Sequence, residues 1–132
     1  MSKLTYSDIA ARIPSVGGKP LVWLHGEVRT PPFSRSARVE TGLRLRQLQS
    51  GARLGMPHSR PMPSIGPRCH ELRVTDLNPQ WRLVYRIDDD AIVIAEVFAK
   101  KSTRTTSSVL ETCRQRLKRY DDAQAKAQGP GS

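Results

Sequence analysis

Residues 91–99 read Ala-Ile-Val-Ile-Ala-Glu-Val-Phe-Ala, with Glu96 the single charged side chain among them. Side chains along a strand point alternately to its two sides, so a stretch that is apolar at both parities has no face to offer water. The pattern predicts a central strand covered on each side, with Asp88-Asp89-Asp90 as the turn that feeds it. Its uninterrupted apolar part, Ala91 to Ala95, is far shorter than the roughly 20 residues that cross a bilayer, and Met1-Ser2-Lys3-Leu4 has no apolar segment behind it of the signal-peptide kind. A soluble, cytoplasmic chain with no membrane partner is expected.

Two segments upstream alternate cleanly. His70, Leu72 and Val74 interleave with Cys69, Glu71 and Arg73, and Trp81, Leu83, Tyr85 and Ile87 interleave with Arg82, Val84 and Arg86. If these strands pair so that their apolar sets meet, Glu71, Arg73, Arg82 and Arg86 share the other face. Tyr85 then falls on the apolar side as a structural residue. Earlier in the chain, Pro20 to Leu24 reads as a first strand, and Ser34 can cap a helix running to about Gly51. Ala37, Thr41, Leu45, Leu48 and Ala52 form its apolar stripe, while Val39 and Leu43 lie off that stripe, where they call for a second packing surface or a partner. Pro57, Pro61, Pro63 and Pro67 forbid helix in the next stretch and make it a stiff loop. A last helix starts near Thr106 or Ser107, with Val109, Cys113, Leu117 and Tyr120 on one side and most of its cations near its negative end. The order β, α, three strands, α gives an α+β fold. It is expected as a small single domain over residues 20–120, an antiparallel sheet of about four strands packed on one side by N-terminal and C-terminal helices, with flexible tails at 1–19 and 121–132.

Charge narrows the function. The 132 residues carry 22 Lys+Arg against 12 Asp+Glu, a formal net charge of +10. Sixteen of the cations are arginine, the side chain whose planar fork suits phosphate oxygens and stacking on bases. From Arg29 to Arg68 there are eight arginines and one acid, Glu40. Such a block calls for a polyanionic partner, nucleic acid before membrane, because no stretch has the large apolar insertion face of a membrane-surface helix. Three arginines beside one glutamate on a single sheet face repel one another, which is a poor choice for structure alone. Lys100-Lys101-Ser102-Thr103-Arg104 adds cations at the end of a rigid strand. Metal chemistry finds no support: Cys69 and His70 point to opposite faces, His25 and His58 stand at no ligand spacing, and no Gly-rich phosphate loop or acid cluster for two magnesium ions occurs. Cys69 and Cys113 are expected as free buried thiols, and no cofactor is implied.

The segments Glu71-Leu72-Arg73, Trp81-Arg82-Leu83-Val84-Tyr85-Arg86 and Phe98-Ala99-Lys100-Lys101-Ser102, in this order and spacing, resemble the RelE/HigB superfamily of toxins, and more narrowly its phage-derived HigB-like branch. The flanks Gly51 to Pro57 and Arg116 to Tyr120 extend the resemblance over residues 20–120. It implies a RelE-like fold and the toxin of a type II toxin–antitoxin system, a ribosome-dependent mRNA endoribonuclease that cuts by metal-free attack of the RNA 2′-OH. A cognate antitoxin, of the helix-turn-helix kind, would silence it, and the ribosome and mRNA would be its other partners. Carried onto this chain, Arg73, Arg82, Lys100 and Glu71 would be catalytic, with Arg82 on an exposed sheet face. Arg35, Arg38, Arg60, Arg68, Arg86, Lys101 and Arg104 would bind RNA. The superfamily's catalytic tyrosine has no counterpart in residues 105–113, and Tyr120 lies too far along the helix. A reading of another class is a non-catalytic basic module that binds RNA or DNA on the same fold.

Overall fold

The apolar strand at 92–99 does lie inside a sheet with a layer on each side. The computed structural model describes residues 11–13 (backbone only), 18–24, 33–77, 80–100 and 105–128. The strands are β1 (Ala11–Ile13), β2 (Leu21–Trp23), β3 (Ser59–Pro61), β4 (Cys69–Val74), β5 (Trp81–Ile87) and β6 (Ile92–Ala99); the helices are α1 (Arg35–Gln49) and α2 (Ser107–Gln128). The strands form one sheet in the order β1-β2-β6-β5-β4-β3. All neighbours are antiparallel except β2 and β6, which run parallel with Leu21 opposite Ile92 and Trp23 opposite Ile94.

Four expectations are corrected. The sheet is mixed and six-stranded, because β2 joins β6 in parallel and the short strands β1 and β3 extend the two edges. The Pro-rich loop contains β3, whose Pro61 is tolerated because an edge strand needs only one side of its backbone for pairing. The tails are shorter than expected: β1 lies inside 1–19, Lys19 donates its backbone N–H to the Gln49 carbonyl (2.9 Å), and α2 continues through Asp121 to Gln128. Finally, the helices lie on opposite faces. Ala37, Leu45 and Leu48 of α1 pack with Leu21, Leu72, Leu83, Tyr85, Ile92 and Ile94, whereas Cys113, Leu117 and Tyr120 of α2 pack with Val22, Cys69, Val84, Val93 and Ala95. A strand apolar at both parities needs this arrangement.

Local chemistry sets the boundaries of α1. Ser34 is its N-cap, the hydroxyl accepting from the Ala37 N–H at 3.1 Å. Gly51, at φ 97°, takes the left-handed conformation that ends the helix. The Ser34 N–H is held by Asp76, at the far end of β4, whose carboxylate also accepts from the Leu77 N–H and the Trp81 indole. Trp81 in turn meets Phe33 edge-on, with ring centroids 5.0 Å apart. One carboxylate thus fastens the start of α1 to the β4–β5 connection. Cys69 and Cys113 are free and buried, and burial pushes the Cys113 thiol up to about 12.

Hydrogen bonds from Ser34, reinforced by those from Leu77 and Trp81, hold the Asp76 carboxyl below its ordinary value. A depressed folded-state pKa adds stability above the unfolded value, and that contribution is lost as pH falls through the folded one. Asp76→Ala should therefore melt at a lower temperature than the wild type at pH 7. The gap should narrow as pH drops below the ordinary carboxylate range, about 4; melts at a series of pH values test both signs.

Candidate functional site

The α2-covered face of the sheet carries ordered charge. In the β4–β5 register Glu71 lies opposite Val84, Arg73 opposite Arg82 and Cys69 opposite Arg86, so the four charged residues share one face, as the alternation predicts. Arg60 of β3 lies opposite Glu71 and Phe98 of β6 opposite Arg82. Alternation puts Lys100, one residue beyond β6 and held by its N–H to the Gln80 carbonyl (2.7 Å), on the side of Phe98.

Glu71 is the hub. It is 1% exposed; its Oε1 lies 3.2 Å from Arg60 Nε and 3.6 Å from Arg82 Nε, and its Oε2 accepts from the Thr105 hydroxyl at 2.6 Å. Thr105 stands just before α2, so this carboxylate ties two cations to the approach of the helix. Arg82 also donates to its neighbour's carbonyl, Trp81 O, at 2.9 Å. Arg73 keeps a buried Nε–H without a hydrogen-bond partner in the structure. Arg60 and Arg82 thus contact one carboxylate, and Arg73 faces Arg82 across the strand pair, where like charges repel. Burial, and after it the charge of Arg73, lowers the Arg82 pKa from its ordinary value against the opposing pull of Glu71. Among the described residues the cluster holds three arginines to one carboxylate.

A second pair on the same face is complete. Arg86 binds Asp121 of α2 through two bonds (2.7 and 3.0 Å) and Asp88 through two more (2.7 and 2.9 Å). Burial works against the Arg86 charge, but these two carboxylates outweigh it and raise its pKa above the ordinary value. Between the two clusters, Arg116 of α2 reaches Glu96 (3.2 Å) and the Ala95 carbonyl (2.8 Å). Ala95 is the extra residue of a bulge, since Val84 pairs with Glu96 and Tyr85 with Ile94.

The sequence-predicted residues therefore separate. Glu71, Arg73, Arg82 and Arg60 come together, with Lys100 toward the end of the same face. Arg82 is 7% exposed, not on an open face as expected, because α2 and its approach cover that side. Arg86 is equally buried, and among the described residues its side-chain bonds go to Asp88 and Asp121, so it ties sheet to helix. Arg68, at φ 63° and exposed, pairs with Asp88 at 3.4 Å. Arg35 and Arg38 are exposed on α1, on the opposite side of the sheet. Lys101 and Arg104 lie outside the described residues, as do His25 and Arg29.

Sequence reasoning missed the roles of two residues. Thr105 gave no signal beyond its place before a helix. His58 was weighed only as a metal ligand; its carbonyl accepts the Arg73 N–H at 2.7 Å, extending the β3–β4 backbone register, while its ring reaches α1 on the other side of the sheet. Its Nε2 lies 3.3 Å from Arg44 Nη2. A guanidinium can only donate, so that nitrogen accepts and the ring proton resides on Nδ1. Among the described residues no group of three or more His, Cys, Asp or Glu side chains is arranged to hold a metal ion, and no helix is long and apolar enough to cross a membrane.

These features define a class: a small α+β domain whose mixed sheet is sandwiched by two helices, with an arginine-rich, undercompensated cluster under the second. Residues 32–118 match the family described as Phage derived protein Gp49-like (DUF891), and the chain belongs to that family. The matched span contains α1 and every member of the Glu71 cluster; β1, β2 and Asp121 lie outside it. No curated protein and no solved structure matches the chain.

Removing the one carboxylate tests how short of negative charge the cluster is. Glu71→Gln should lose about 3 kcal/mol of stability, the scale for stripping one partner from a buried ion pair. Added inorganic phosphate should restore part of the loss and raise the variant's Tm more than the wild type's, whereas equal shifts would mean that the arginines gain nothing from an anion.

Proposed function

We propose that the chain is a metal-independent endoribonuclease that cuts mRNA, the toxin of a type II toxin–antitoxin system. The observation that carries this reading is Arg73 facing Arg82 across β4 and β5, with Arg60 beside them and, among the described residues, Glu71 as the one carboxylate bonded to the group. Rigid strands hold three cations around one described carboxylate, and a phosphodiester would add negative charge. The ordered resemblance to the RelE/HigB superfamily supports the choice of RNA and of the toxin role. A cognate helix-turn-helix antitoxin, the ribosome with its mRNA, and a cytoplasmic setting belong to the same reading.

The nucleophile is the RNA's own 2′-OH, which attacks the adjacent phosphorus in line, forms a 2′,3′-cyclic phosphate and expels a 5′-oxygen. Positioning and charge stabilisation dominate such a step. Arg73 and Arg82 take the phosphoryl oxygens, and Lys100 stabilises or protonates the leaving oxygen. Glu71 changes role relative to the sequence reading. Held by Arg60, Arg82 and Thr105, it acts as the counter-ion that keeps the arginines in place. The 2′-OH proton is left to water, because the His58 ring, the nearest imidazole in the register, is bonded to Arg44 of α1. Burial of Arg82 requires the approach to α2 to shift when RNA enters.

Primer extension on mRNA incubated with ribosomes and the purified chain tests this. Arg82→Ala should lower the cutting rate by about 10²–10³, the scale for losing one preorganised donor. Arg82→Lys should also fail, since an ammonium cannot copy the bidentate fork, while a thermal melt certifies its fold. Absence of cutting by the folded wild type would overturn the ribonuclease reading. The non-catalytic basic module would then stand if RNA binding weakens steeply with salt, log K falling by about 0.7 for each tenfold increase in salt per phosphate contact on single strands.

A further inference from the structure

The outward side of α1 is built against its own stability. Arg35 and Arg38 stand exposed in or beside its first turn, which holds no acid. That is the positive end of the helix dipole, where cations are disfavoured. No carboxylate stands three or four residues from either one to form a helical ion pair. Val39 and Leu43, one turn apart on the same side, are 64% and 49% exposed, although the helix has a separate buried stripe in Ala37, Thr41, Leu45 and Leu48. Arg46 continues the outward stripe, its Nε directed to the Gly42 carbonyl. At Gly42 an added Cβ would meet only the Arg46 guanidinium, at 3.7 Å, so the backbone there is open to close approach.

We propose that this side of α1 is a docking surface for an acidic amphipathic helix of another protein, laid along Val39, Gly42 and Leu43 with its carboxylates on Arg35, Arg38 and Arg46. Charge complementarity selects the occupant. A second copy would bring the same arginines against themselves in a two-fold contact, on a chain already at +10. Phosphate backbones would match the arginines but leave Val39 and Leu43 facing charge. Two aliphatic side chains without an aromatic are too small an insertion face for a membrane. A partner helix with apolar residues at i, i+3 or i+4 and i+7, rimmed by Asp and Glu, satisfies both chemistries, and a glycine at the contact lets the axes approach. The surface lies across the sheet from the Glu71 cluster, so the inference stands apart from the ribonuclease reading.

The test selects helical peptides, displayed on phage with their outer positions randomised, against the full chain. Selected peptides should carry aliphatic residues at helical spacing flanked by Asp and Glu. They should bind the Val39→Ser/Leu43→Ser double variant at least tenfold more weakly and lose affinity as salt rises. Gly42→Gln guards against a folding artefact: glutamine is a better helix former, so the Tm should hold or rise while peptide binding falls. Selected peptides without this pattern, or binding both variants as well as the wild type, would overturn the proposal. So would a double variant that loses affinity for a single-stranded RNA oligonucleotide, since the face would then belong to nucleic acid.

Discussion

A buried carboxylate is costly unless its oxygens are paired, and Glu71 meets that condition by drawing in Arg60, Arg82 and Thr105. Much of the α2-covered layer follows from this requirement. The helix lies over a sheet face that is partly ionic, so apolar contact alone cannot seat it. It is fixed by a ladder of charged or polar ties: Thr105 to Glu71 at its approach, Arg116 to Glu96 and the bulged Ala95 carbonyl in the middle, and Asp121 to Arg86 further along. Cys113, Leu117 and Tyr120 fill the spaces between.

The two faces of the sheet thus solve different problems. The α1 side is a conventional core, with Leu72, Leu83, Ile92 and Ile94 fully enclosed and the Tyr85 hydroxyl bonded to Ser59 at 2.6 Å. Its job is stability, and volume changes there are expected to act through packing. On the α2 side, directional bonds set helix position; Arg73 Nε has no partner there, as Trp23 Nε1, Arg44 Nε and Gln49 Nε2 have none toward α1.

Much of this was legible in the sequence because it is written in periodicity. The parity of residues 69–74 and 81–87 gave the β4–β5 register and brought Glu71, Arg73, Arg82 and Arg86 to one face; Ser34 announced α1, and Val39 and Leu43 stood off its stripe as they do in space. What stayed hidden depends on distant partners. Charge read along a strand looks like exposure, and nothing near Arg86 in the chain reveals that Asp121, 35 residues on, will bury it. The parallel pairing of β2 is equally non-local. The short strand β3 was masked by prolines that an edge tolerates, and the placement of the helices on opposite faces was implied by the doubly apolar β6 but not drawn from it.

The position of β2 in the sheet bears on how the chain comes into being. Leu21–Trp23 is made before the neighbour it pairs with in parallel, β6, which follows about 70 residues later, and such distant pairings are slow to close. Until then Leu21 and Val22, nearly inaccessible in the finished protein, belong to an unpaired strand edge. The arginine-rich stretch that separates the two strands repels other nascent copies during that interval, so the positive charge doubles as protection against aggregation while the sheet waits for its centre.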